Sequence, residues 1–435
     1  MAITRRSGAV VALLAATTLL LAACGSGGGD TNTNSSDLYK NPVTLVWWNN
    51  YNTDGPGKTY WQKVAADFHN LHPTVTVQFN GIETNELQRS KLPAALLSNS
   101  PPDIFAAWGG GEMVEQVQAG YLKDITDQTK TEVANIGPAS NIWAVNGKQY
   151  GLPYQFAVEG FWYNKDIFTQ AGITSTPKTM DDLNAAIAKI KAVGKIPVAV
   201  GAGDKWPAAH WWYNFALREC SATALANAGA KHTFDDACFV KAGQDLQTFN
   251  ATNPYQPNFL ATPGQKGADS SAGLVANGKA AMELMGAWDG GTMGSLTPDK
   301  KQPSFLGWFP FPSVSGGAGN QSAAMGGGDG FACSKKAPPE CVEFLKYIVS
   351  PDVEKGYAAT GAGNPIVKGS EAGLTDPVLQ TIAQATQQAG GIQLWLDTQF
   401  GATAGTAMND AIVAIFAGKG QPQGVVDALK KSTAR

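Results

Sequence analysis

The alternation of apolar strands and amphipathic helices near the start of the chain most narrows the folds available to it. Residues 43–48 form an apolar run typical of a buried strand, residues 58–70 have helical spacing, and residues 75–79 alternate as a second strand. A helix over 83–97 and a short strand at 103–106 follow. This order predicts a mainly parallel α/β sheet, in which ligands bind beyond the carboxyl ends of the strands.

The rest of the chain shows the same α/β alternation and no tandem repeat. The middle, residues 206–285, is predicted to be mostly helical. The other predicted elements are three strands, at 160–164, 197–200 and 308–311, and four helices, at 180–193, 339–350, 376–389 and 405–417. At 435 residues the chain is long enough for two domains with their own cores.

The N-terminal region has the parts of a secretory signal. Arg5 and Arg6 supply positive charge, residues 10–21 are almost wholly apolar, and small residues lead to Cys24. The apolar run is too short to span a bilayer comfortably, so we expect a signal peptide over residues 1–23 rather than a transmembrane helix. The alternative is a buried helix with an incidental cysteine.

The residues around this cysteine resemble the lipobox of bacterial lipoproteins. The tetrapeptide Leu21-Ala22-Ala23-Cys24 is followed by a run of Gly and Ser. The resemblance implies that Cys24 becomes the first mature residue and carries the lipid, which places the protein on the extracellular face of the cell membrane. Residues 24–40 are predicted to be a flexible tether. No later apolar stretch is long enough to cross a bilayer, so the lipid is the only membrane attachment that we expect.

The charge of the mature chain excludes a typical nucleic-acid partner. Removing residues 1–23 leaves 30 basic against 35 acidic side chains. A mildly acidic chain lacks the basic footprint that nucleic acids require.

Four cysteines remain once Cys24 is set aside, and an even number outside the cell suggests two disulfides. Four cysteines allow three connectivities. Local pairing is the simplest, joining Cys220 to Cys238 and Cys333 to Cys341. The alternative is a metal site, but no Cys-x-x-Cys or paired His occurs, so no metal is predicted.

Motifs for catalysis are poorly represented. The chain has neither a Gly-x-Ser-x-Gly elbow nor a His-Glu-x-x-His zinc motif. Residues 273–279 almost match a phosphate-binding loop, but Ala280 stands where Ser or Thr must hold magnesium, so a helix and a turn are predicted there. We therefore predict no catalytic residue and no cofactor. A glycosidase pair of carboxylates stays open, because the separation of carboxylates is not readable from sequence.

The placement of tryptophans is more informative. Trp206, Trp288 and Trp395 fall at strand ends or near Gly, Asp and Lys instead of inside periodic apolar runs. A tryptophan face stacks on the C–H face of a pyranose ring, and neighbouring carboxylates or amides hydrogen-bond the hydroxyls. These three residues are therefore candidates for a sugar pocket. The alternative is that they are ordinary core residues, as about half of the tryptophans are expected to be.

Two segments resemble a known family. They are Gly147-Lys148-Gln149-Tyr150-Gly151-Leu152-Pro153 and Phe161-Trp162-Tyr163-Asn164-Lys165-Asp166-Ile167-Phe168-Thr169-Gln170-Ala171-Gly172-Ile173. They are similar to the signature of family 1 extracellular solute-binding proteins of ABC importers, the maltose-binding-protein-like carbohydrate-binding group. Supporting segments lie at 102–105, 282–288, 408–412 and 416–419. Residues 201–210 also resemble actinobacterial relatives that bind xylobiose and similar β-linked oligosaccharides.

The resemblance implies a two-lobe periplasmic-binding-protein-like (type II) α/β fold with a hinge and an interlobe cleft. Lobe one is expected to comprise residues 41–156 and 309–365. Lobe two is expected to comprise residues 157–308 and 366–435. The chain would cross between the lobes three times, near residues 156–157, 308–309 and 361–365.

The resemblance also implies the ligand contacts. Trp288 best matches the family's stacking position, and the loops after Trp48 and at Trp108 match contacts from lobe one. The full expected set of ligand-binding residues is Trp288, Trp206, Trp395, Asp397, Glu112, Asp54, Trp108, Lys205, Asp289 and Asp329.

The resemblance implies a lipid-anchored, monomeric binding protein that performs no covalent chemistry. It would capture an oligosaccharide, xylobiose or a similar β-linked one, and present it to the transmembrane subunits of an ABC permease. The alternatives are a secreted glycosidase and a binding protein for a non-sugar solute such as a polyamine or peptide.

Overall fold

A computed structural model describes residues 38–98 and 100–434. The expected signal peptide, Cys24 and most of the tether lie outside the described residues. The strands are β1 (Val43–Asn49), β2 (Val75–Gly81), β3 (Ile104–Ala107), β4 (Ala144–Val145), β5 (Lys148–Gln149), β6 (Gly151–Pro153), β7 (Ala157–Val158), β8 (Gly160–Asn164), β9 (Ile196–Val198), β10 (Ala280–Met285), β11 (Leu306–Pro310), β12 (Ala324–Gly327), β13 (Gly330–Cys333) and β14 (Ile392–Leu394).

Helices surround these strands. They are α1 (Pro56–Leu71), α2 (Thr84–Glu86), α3 (Leu92–Leu96), α4 (Gly110–Gln118), α5 (Lys130–Ile136), α6 (Lys165–Gln170), α7 (Met180–Ala192), α8 (Trp206–Glu219), α9 (Ala222–Lys231), α10 (Cys238–Asn250), α11 (Ser271–Ala276), α12 (Asp289–Leu296), α13 (Glu340–Ile348), α14 (Pro351–Ala359), α15 (Pro377–Gln388), α16 (Leu396–Phe400), α17 (Ala402–Phe416) and α18 (Pro422–Thr433). A π-helical turn, Leu87–Lys91, joins α2 to α3. Among the described residues, no helix is both long and apolar enough to cross a membrane.

The first sheet has the strand order β2-β1-β3-β13-β6. β1 runs parallel to β2 and β3, as the strand–helix alternation predicts. β13 comes from far along the chain and pairs antiparallel with both β3 and β6. The sheet is therefore mixed, because a distant strand closes the side that local connections leave unpaired.

The second sheet has the order β11-β8-β10-β9. β10 is antiparallel to β8 and parallel to β9, and all six of its residues are buried. The prediction of a mostly helical segment over 206–285 was wrong for this strand. Its sequence, Ala280-Ala281-Met282-Glu283-Leu284-Met285, consists of good helix formers, but pairing on both sides overrides that weak preference.

A small third sheet, β14-β12-β7, joins the segments that follow β6, β11 and α15. β12 is parallel to β14 and antiparallel to β7. Trp395 comes directly after β14, and Asp329 lies between β12 and β13. This sheet therefore positions two residues of the candidate site described below.

Two large clusters of buried side chains hold most of the described chain. The first core draws on residues 45–154 and 331–367, and the second core draws on residues 161–429. Phe309 and Phe311 pack in the second core, although the expected boundary at 308–309 assigned them to lobe one. The reason is that β11 pairs with β8 along its whole length. After β11, the chain returns to the first core only at β13.

Both disulfides have the local pairing that was expected as the simplest of the three connectivities. Cys220 at the end of α8 bonds Cys238 in α10, and Cys333 in β13 bonds Cys341 in α13. In the chain-entropy model such short loops stabilise the fold by about 2–3 kcal/mol each, because they restrict the unfolded chain.

Candidate ligand-binding cleft

A cleft of about 1420 Å³, the open solvent at its mouth included, lies where the two large cores meet. The first core lines it with the loop after β1, with Trp108 after β3 and with Tyr154 after β6. The second core lines it with the start of α8 and the segment after β10. The cleft therefore lies at the carboxyl ends of β1 and β3, as expected for an α/β sheet.

Three tryptophans form one side, which we call the tryptophan wall: Trp206, Trp288 and Trp395. The ring centroids of Trp206 and Trp288 lie 6.4 Å apart, and those of Trp288 and Trp395 lie 5.4 Å apart. Two glycines make this packing possible, because an added Cβ at Gly286 would overlap the Trp288 ring and one at Gly327 would overlap the Trp395 ring. The sequence-based expectation placed all three tryptophans in a pocket, and all three line the cleft.

Buried polar groups hold the deepest of these rings. Trp395 is 8% exposed, and its Nε1 donates a 2.7 Å hydrogen bond to Glu159, which is fully buried. Asn214 donates to the other oxygen of Glu159 at 3.3 Å. The His210 ring stacks on Trp395 at 6.0 Å and 16°. The orientation of Trp395 is therefore set by hydrogen bonding and stacking together.

A second group of lining residues, which we call the polar wall, consists of Tyr51, Tyr154, Gln155 and Asp329. Gln155 donates to one oxygen of Asp329. The Tyr51 hydroxyl lies 3.2 Å from that of Tyr154 and 2.9 Å from that of the buried Tyr357. The Tyr357 hydroxyl in turn lies 2.9 Å from Oε1 of Gln155. One connected network thus fixes the polar groups of this wall.

Burial controls the charges of the polar wall. Burial raises the pKa of Asp329, and the hydrogen bonds from Gln155 and Trp108 oppose that rise. The Trp108 bond is 2.8 Å long. Burial and the charge of Asp329 raise the pKa of Tyr51 to about 12. The Tyr51 hydroxyl consequently keeps its proton at neutral pH and can donate a hydrogen bond to a ligand or to a neighbour.

Arg89 links the two cores across the cleft, in an arrangement that we call the Arg89 bridge. Its guanidinium pairs with Glu112 of α4 and lies 3.7 Å from Asp397 of α16. The same group lies 5.7 Å from the centroid of the Trp108 ring. Burial raises the pKa of Glu112, and the charge of Arg89 counteracts this. Glu112 therefore positions Arg89, and it is not itself among the residues that line the cleft.

The cleft brings together six of the ten expected ligand-binding residues: Trp206, Trp288, Trp395, Trp108, Asp329 and Asp397. Besides Glu112, three others lie elsewhere. Asp54 has an 89% exposed side chain that pairs with Lys58, and Lys205 is half exposed and pairs with Asp410. Asp289 is fully buried behind the cleft. Sequence adjacency to a tryptophan or a loop does not determine on which side of the backbone a charged group lies.

Several lining residues were absent from the expected set. Tyr154 and Gln155 follow directly after the segment 147–153 that carries the family resemblance, so their position offered a usable signal. Tyr51 lies in the loop after β1, another expected ligand-binding position. Arg89 and Gln265 carry no comparable signal, because only the tertiary fold brings them to the cleft.

Residues 52–355 match the family described as bacterial extracellular solute-binding protein. The chain belongs to this family. It is therefore an extracellular solute-binding protein and not an enzyme, and the cleft between its cores is the candidate solute site.

Relatives of this solute-binding protein are distant in sequence. It is 26% identical over 331 residues to the multiple sugar-binding protein of Streptococcus mutans, covering 73% of this chain and 74% of that one. It is 25% identical over 362 residues to the diacetylchitobiose binding protein DasA of Streptomyces coelicolor, covering 82% and 80%. An uncharacterized ABC transporter extracellular-binding protein of Pyrococcus horikoshii is 27% identical, but this chain spans only 55% of its length.

Solved structures share the fold over nearly the whole described chain. A structure from work on xylan utilization by Caldanaerobius polysaccharolyticus superposes with a TM-score of 0.81 at 25% identity, covering 90% of this chain and all of that one. A chitin oligosaccharide binding protein superposes with a TM-score of 0.79 at 23% identity, covering 90% and 98%. The α/β periplasmic-binding-protein fold expected from the sequence is thus confirmed.

Proposed function

We propose that this protein captures a neutral oligosaccharide, xylobiose or a similar β-linked one, and delivers it to the transmembrane subunits of an ABC importer. One observation carries the proposal: the tryptophan wall and the polar wall line the same cleft. Aromatic faces pack against the apolar faces of pyranose rings, while carboxylates, amides and phenols bind the ring hydroxyls. A pyranose chain needs both kinds of surface at once.

The charges of the cleft favour a neutral ligand. Among the described residues, four carboxylates line it: Glu83, Asp204, Asp329 and Asp397. Each already accepts hydrogen bonds from the protein. Glu83 accepts from the Asn85 and Glu86 amides, and Asp204 accepts from the Gly264 amide. Asp329 accepts from Trp108 and Gln155, and Asp397 accepts from the Thr398 amide and Asn409. These bonds use part of the accepting capacity of each carboxylate, which weakens its attraction for the ammonium groups of a polyamine. Two of the lining cations are already paired, Arg89 with two acids and Lys58 with Asp54, which disfavours an anionic ligand. Lys266 also lines the cleft.

The relatives support a sugar as ligand. The Streptococcus and Streptomyces proteins are named for sugars that they bind, and the structure with the TM-score of 0.81 comes from work on xylan utilization. The choice of a β-linked xylo-oligosaccharide rests on the last of these and on the resemblance of residues 201–210.

Calorimetry across chemically distinct ligands tests this function. We expect purified protein to bind xylobiose, cellobiose or a related disaccharide with a 1:1 stoichiometry, and to release no hydrolysis product on prolonged incubation. Spermidine and a short neutral peptide serve as matched non-sugar ligands. Product formation would establish a glycosidase instead, and binding of spermidine or peptide but of no sugar would overturn the sugar assignment.

We also propose that the first and second cores are lobes that close on the ligand. The lobes would largely follow the sequence-based limits 41–156 with 309–365 and 157–308 with 366–435, except that residues 309–327 move with the second core in which they pack. Ligand contacts on both walls favour the closed arrangement, because only that arrangement makes both sets. Small-angle X-ray scattering should show a smaller radius of gyration with the sugar than without it.

Lipid attachment at Cys24 is the last part of the proposal. It rests on the sequence alone, since residue 24 lies outside the described residues. Cys24→Ala should move the protein from the membrane fraction to the medium, whereas retention of this variant as a membrane lipoprotein would contradict the assignment.

A further inference from the structure

Two carboxyl groups lie buried directly behind the tryptophan wall. Glu283 of β10 is 1% exposed, and Asp289, the residue after Trp288, is fully buried. The two side chains face each other. Among the described residues, neither carboxyl forms a salt bridge, and no Lys, Arg or His contributes to the electrostatic field at either group.

If both groups were ionised, their oxygens would lack hydrogen-bond donors. In the described part of the chain, none of their four oxygens has a donor at hydrogen-bond geometry. Ser271 faces Glu283, but its hydroxyl is 3.1 Å from the Gly264 carbonyl and bonds there. Burying two unpaired negative charges costs several kcal/mol each. A single proton removes one charge and makes one carboxyl a donor to the other, which satisfies both.

The pair also touches the cleft. The side chain of Gln265 lines the cleft and faces Asp289. Its Nε2 is buried, and no acceptor among residues 38–98 and 100–434 lies at hydrogen-bond geometry to it. Trp288 precedes Asp289 in the chain and contributes its ring to the tryptophan wall. A change in charge at Asp289 therefore acts on two lining residues, one through space and one through the backbone.

We propose that Glu283 and Asp289 share one proton, and that this proton holds Trp288 and Gln265 in the ligand-binding arrangement. Above the pH at which the proton leaves, two adjacent negative charges repel each other and draw water into the site, so the wall loosens and ligand affinity falls. Glu283 and Asp289 are positioning residues, since neither lines the cleft. The effect on affinity rests on the proposed function, whereas the shared proton does not.

The direction of the pH effect follows from burial. Burial raises the pKa of Glu283 well above its usual range and that of Asp289 to about 7. A carboxyl whose pKa is higher in the folded than in the unfolded chain binds more protons when folded, so stability falls as pH rises between the two pKa values. The free energy of unfolding should therefore decrease from about pH 4, the unfolded value, up to and beyond pH 7.

The first experiment needs no ligand. Urea unfolding of the whole chain is measured from pH 5 to 9 for the wild type, Glu283→Gln and Asp289→Asn. In each variant a permanent amide donor replaces the shared proton, so the decrease in stability through pH 7 should flatten. In parallel, the fluorescence difference between wild type and Trp288→Phe should titrate over the same range, and Glu283→Gln should abolish that titration. If the free energy of unfolding of both variants varied with pH as in the wild type, the shared proton would be overturned.

The second experiment measures calorimetric affinity for xylobiose over the same pH range. We expect wild-type affinity to fall by up to about tenfold per pH unit once the pair loses its proton, and Glu283→Gln to be nearly independent of pH. Glu354→Gln is the matched control, because Glu354 is a buried carboxyl of the first core whose pKa burial raises to about 8. This control should alter how the free energy of unfolding varies with pH, but its affinity for xylobiose should vary with pH as in the wild type.

The outcomes separate the proposals. Absence of sugar binding at every pH, with a normal stability and fluorescence titration, would refute the proposed function and support the shared proton and its coupling to Trp288. A flat affinity profile with a normal stability titration would overturn the coupling. Suppression of the stability titration by 1 mM calcium chloride, reversed by a chelator, would show that a cation neutralises the pair and would overturn the shared proton.

Discussion

The two walls of the cleft are built on different physical principles. The tryptophan wall consists of large apolar rings that pack on one another and on glycine backbone, with Trp395 alone tied by a hydrogen bond to Glu159. The polar wall is one hydrogen-bonded network running from Tyr51 to Asp329. Packing is non-directional and tolerates changes of ligand, whereas a fixed network imposes an exact pattern of donors and acceptors. The comparison suggests that the first wall supplies affinity and the second supplies specificity.

The largest expected effect on ligand affinity distinguishes a tryptophan of the cleft from a tryptophan of the core. Trp288→Ala should weaken sugar binding by about 1–3 kcal/mol, or about 5- to 150-fold, because a stacking anchor is lost. Its free energy of unfolding should change little, since the Trp288 side chain is only partly buried. Calorimetry and urea unfolding measure the two quantities.

Trp212→Ala in α8 is the matched control for this prediction. Trp212 lies in the second core with 0% exposure, so its loss should cost about 3–5 kcal/mol of unfolding free energy and leave affinity intact in the folded fraction. If Trp288→Ala instead destabilised the protein as Trp212→Ala does and kept its affinity, the tryptophan wall would be core and not a ligand surface.

The polar wall should fail as a unit. Asp329→Ala leaves Trp108 Nε1 and Gln155 Nε2 without their acceptor. An unsatisfied buried donor costs about 1–3 kcal/mol. We therefore expect the free energy of unfolding to fall by about 2–4 kcal/mol and sugar binding to weaken. Asp54→Ala, at an exposed carboxylate outside the cleft, is the control and should behave as wild type. Equal stability of the two variants would show that the network contributes nothing to folding.

The Arg89 bridge joins the two cores, and a conservative change tests it. Arg89→Lys keeps the charge but loses the planar fork that reaches Glu112, Asp397 and the Trp108 ring together. Losing one charged hydrogen bond should cost about 1–2 kcal/mol, mostly in ligand affinity, because the bridge exists only when both cores are in contact. Calorimetry combined with small-angle scattering measures this. Unchanged affinity and an unchanged ligand-free radius of gyration would rule out a role for the bridge in closure.

The smallest expected effect concerns Lys205, which the sequence suggested as a ligand contact. Its ammonium pairs with Asp410 on the surface, and both side chains are about half exposed. Exposed ion pairs contribute about 0–1 kcal/mol, so Lys205→Ala should leave sugar affinity unchanged and shift the melting temperature by a degree or two at most. A clear loss of affinity would place Lys205 at the ligand after all and extend the cleft beyond Trp206.

Local pattern predicted the parts of the fold that local sequence determines. The order β1, α1, β2 and β3 follows from apolar runs and helical spacing, and these elements agree with the structure within a few residues. β10 was missed because its helix-forming residues become a strand only between β8 and β9. The partners of β13 depend on contacts more than 150 residues distant, between Gly330 and Pro153.

The same division holds for the site. Trp206, Trp288 and Trp395 were identifiable because large aromatic residues stand among polar neighbours, a local signal. Arg89 reaches the cleft from a π-helical turn, and its partner Asp397 lies more than 300 residues away, so no local signal marks it. Asp289 shows the converse, because the same loop that exposes Trp288 turns the next side chain inward.

The two disulfides also bear on the order in which this protein assembles. They join cysteines only 18 and 8 residues apart, so each covalent ring can close as soon as its own segment has left the cell, without waiting for the rest of the chain. The first sheet, in contrast, needs β13 beside β3 and β6, and it cannot be complete until about three quarters of the chain has been exported. Oxidation outside the cell can therefore precede the long-range pairing. An oxidant supplied early in export should shorten the time that unpaired strand edges stay exposed to aggregation.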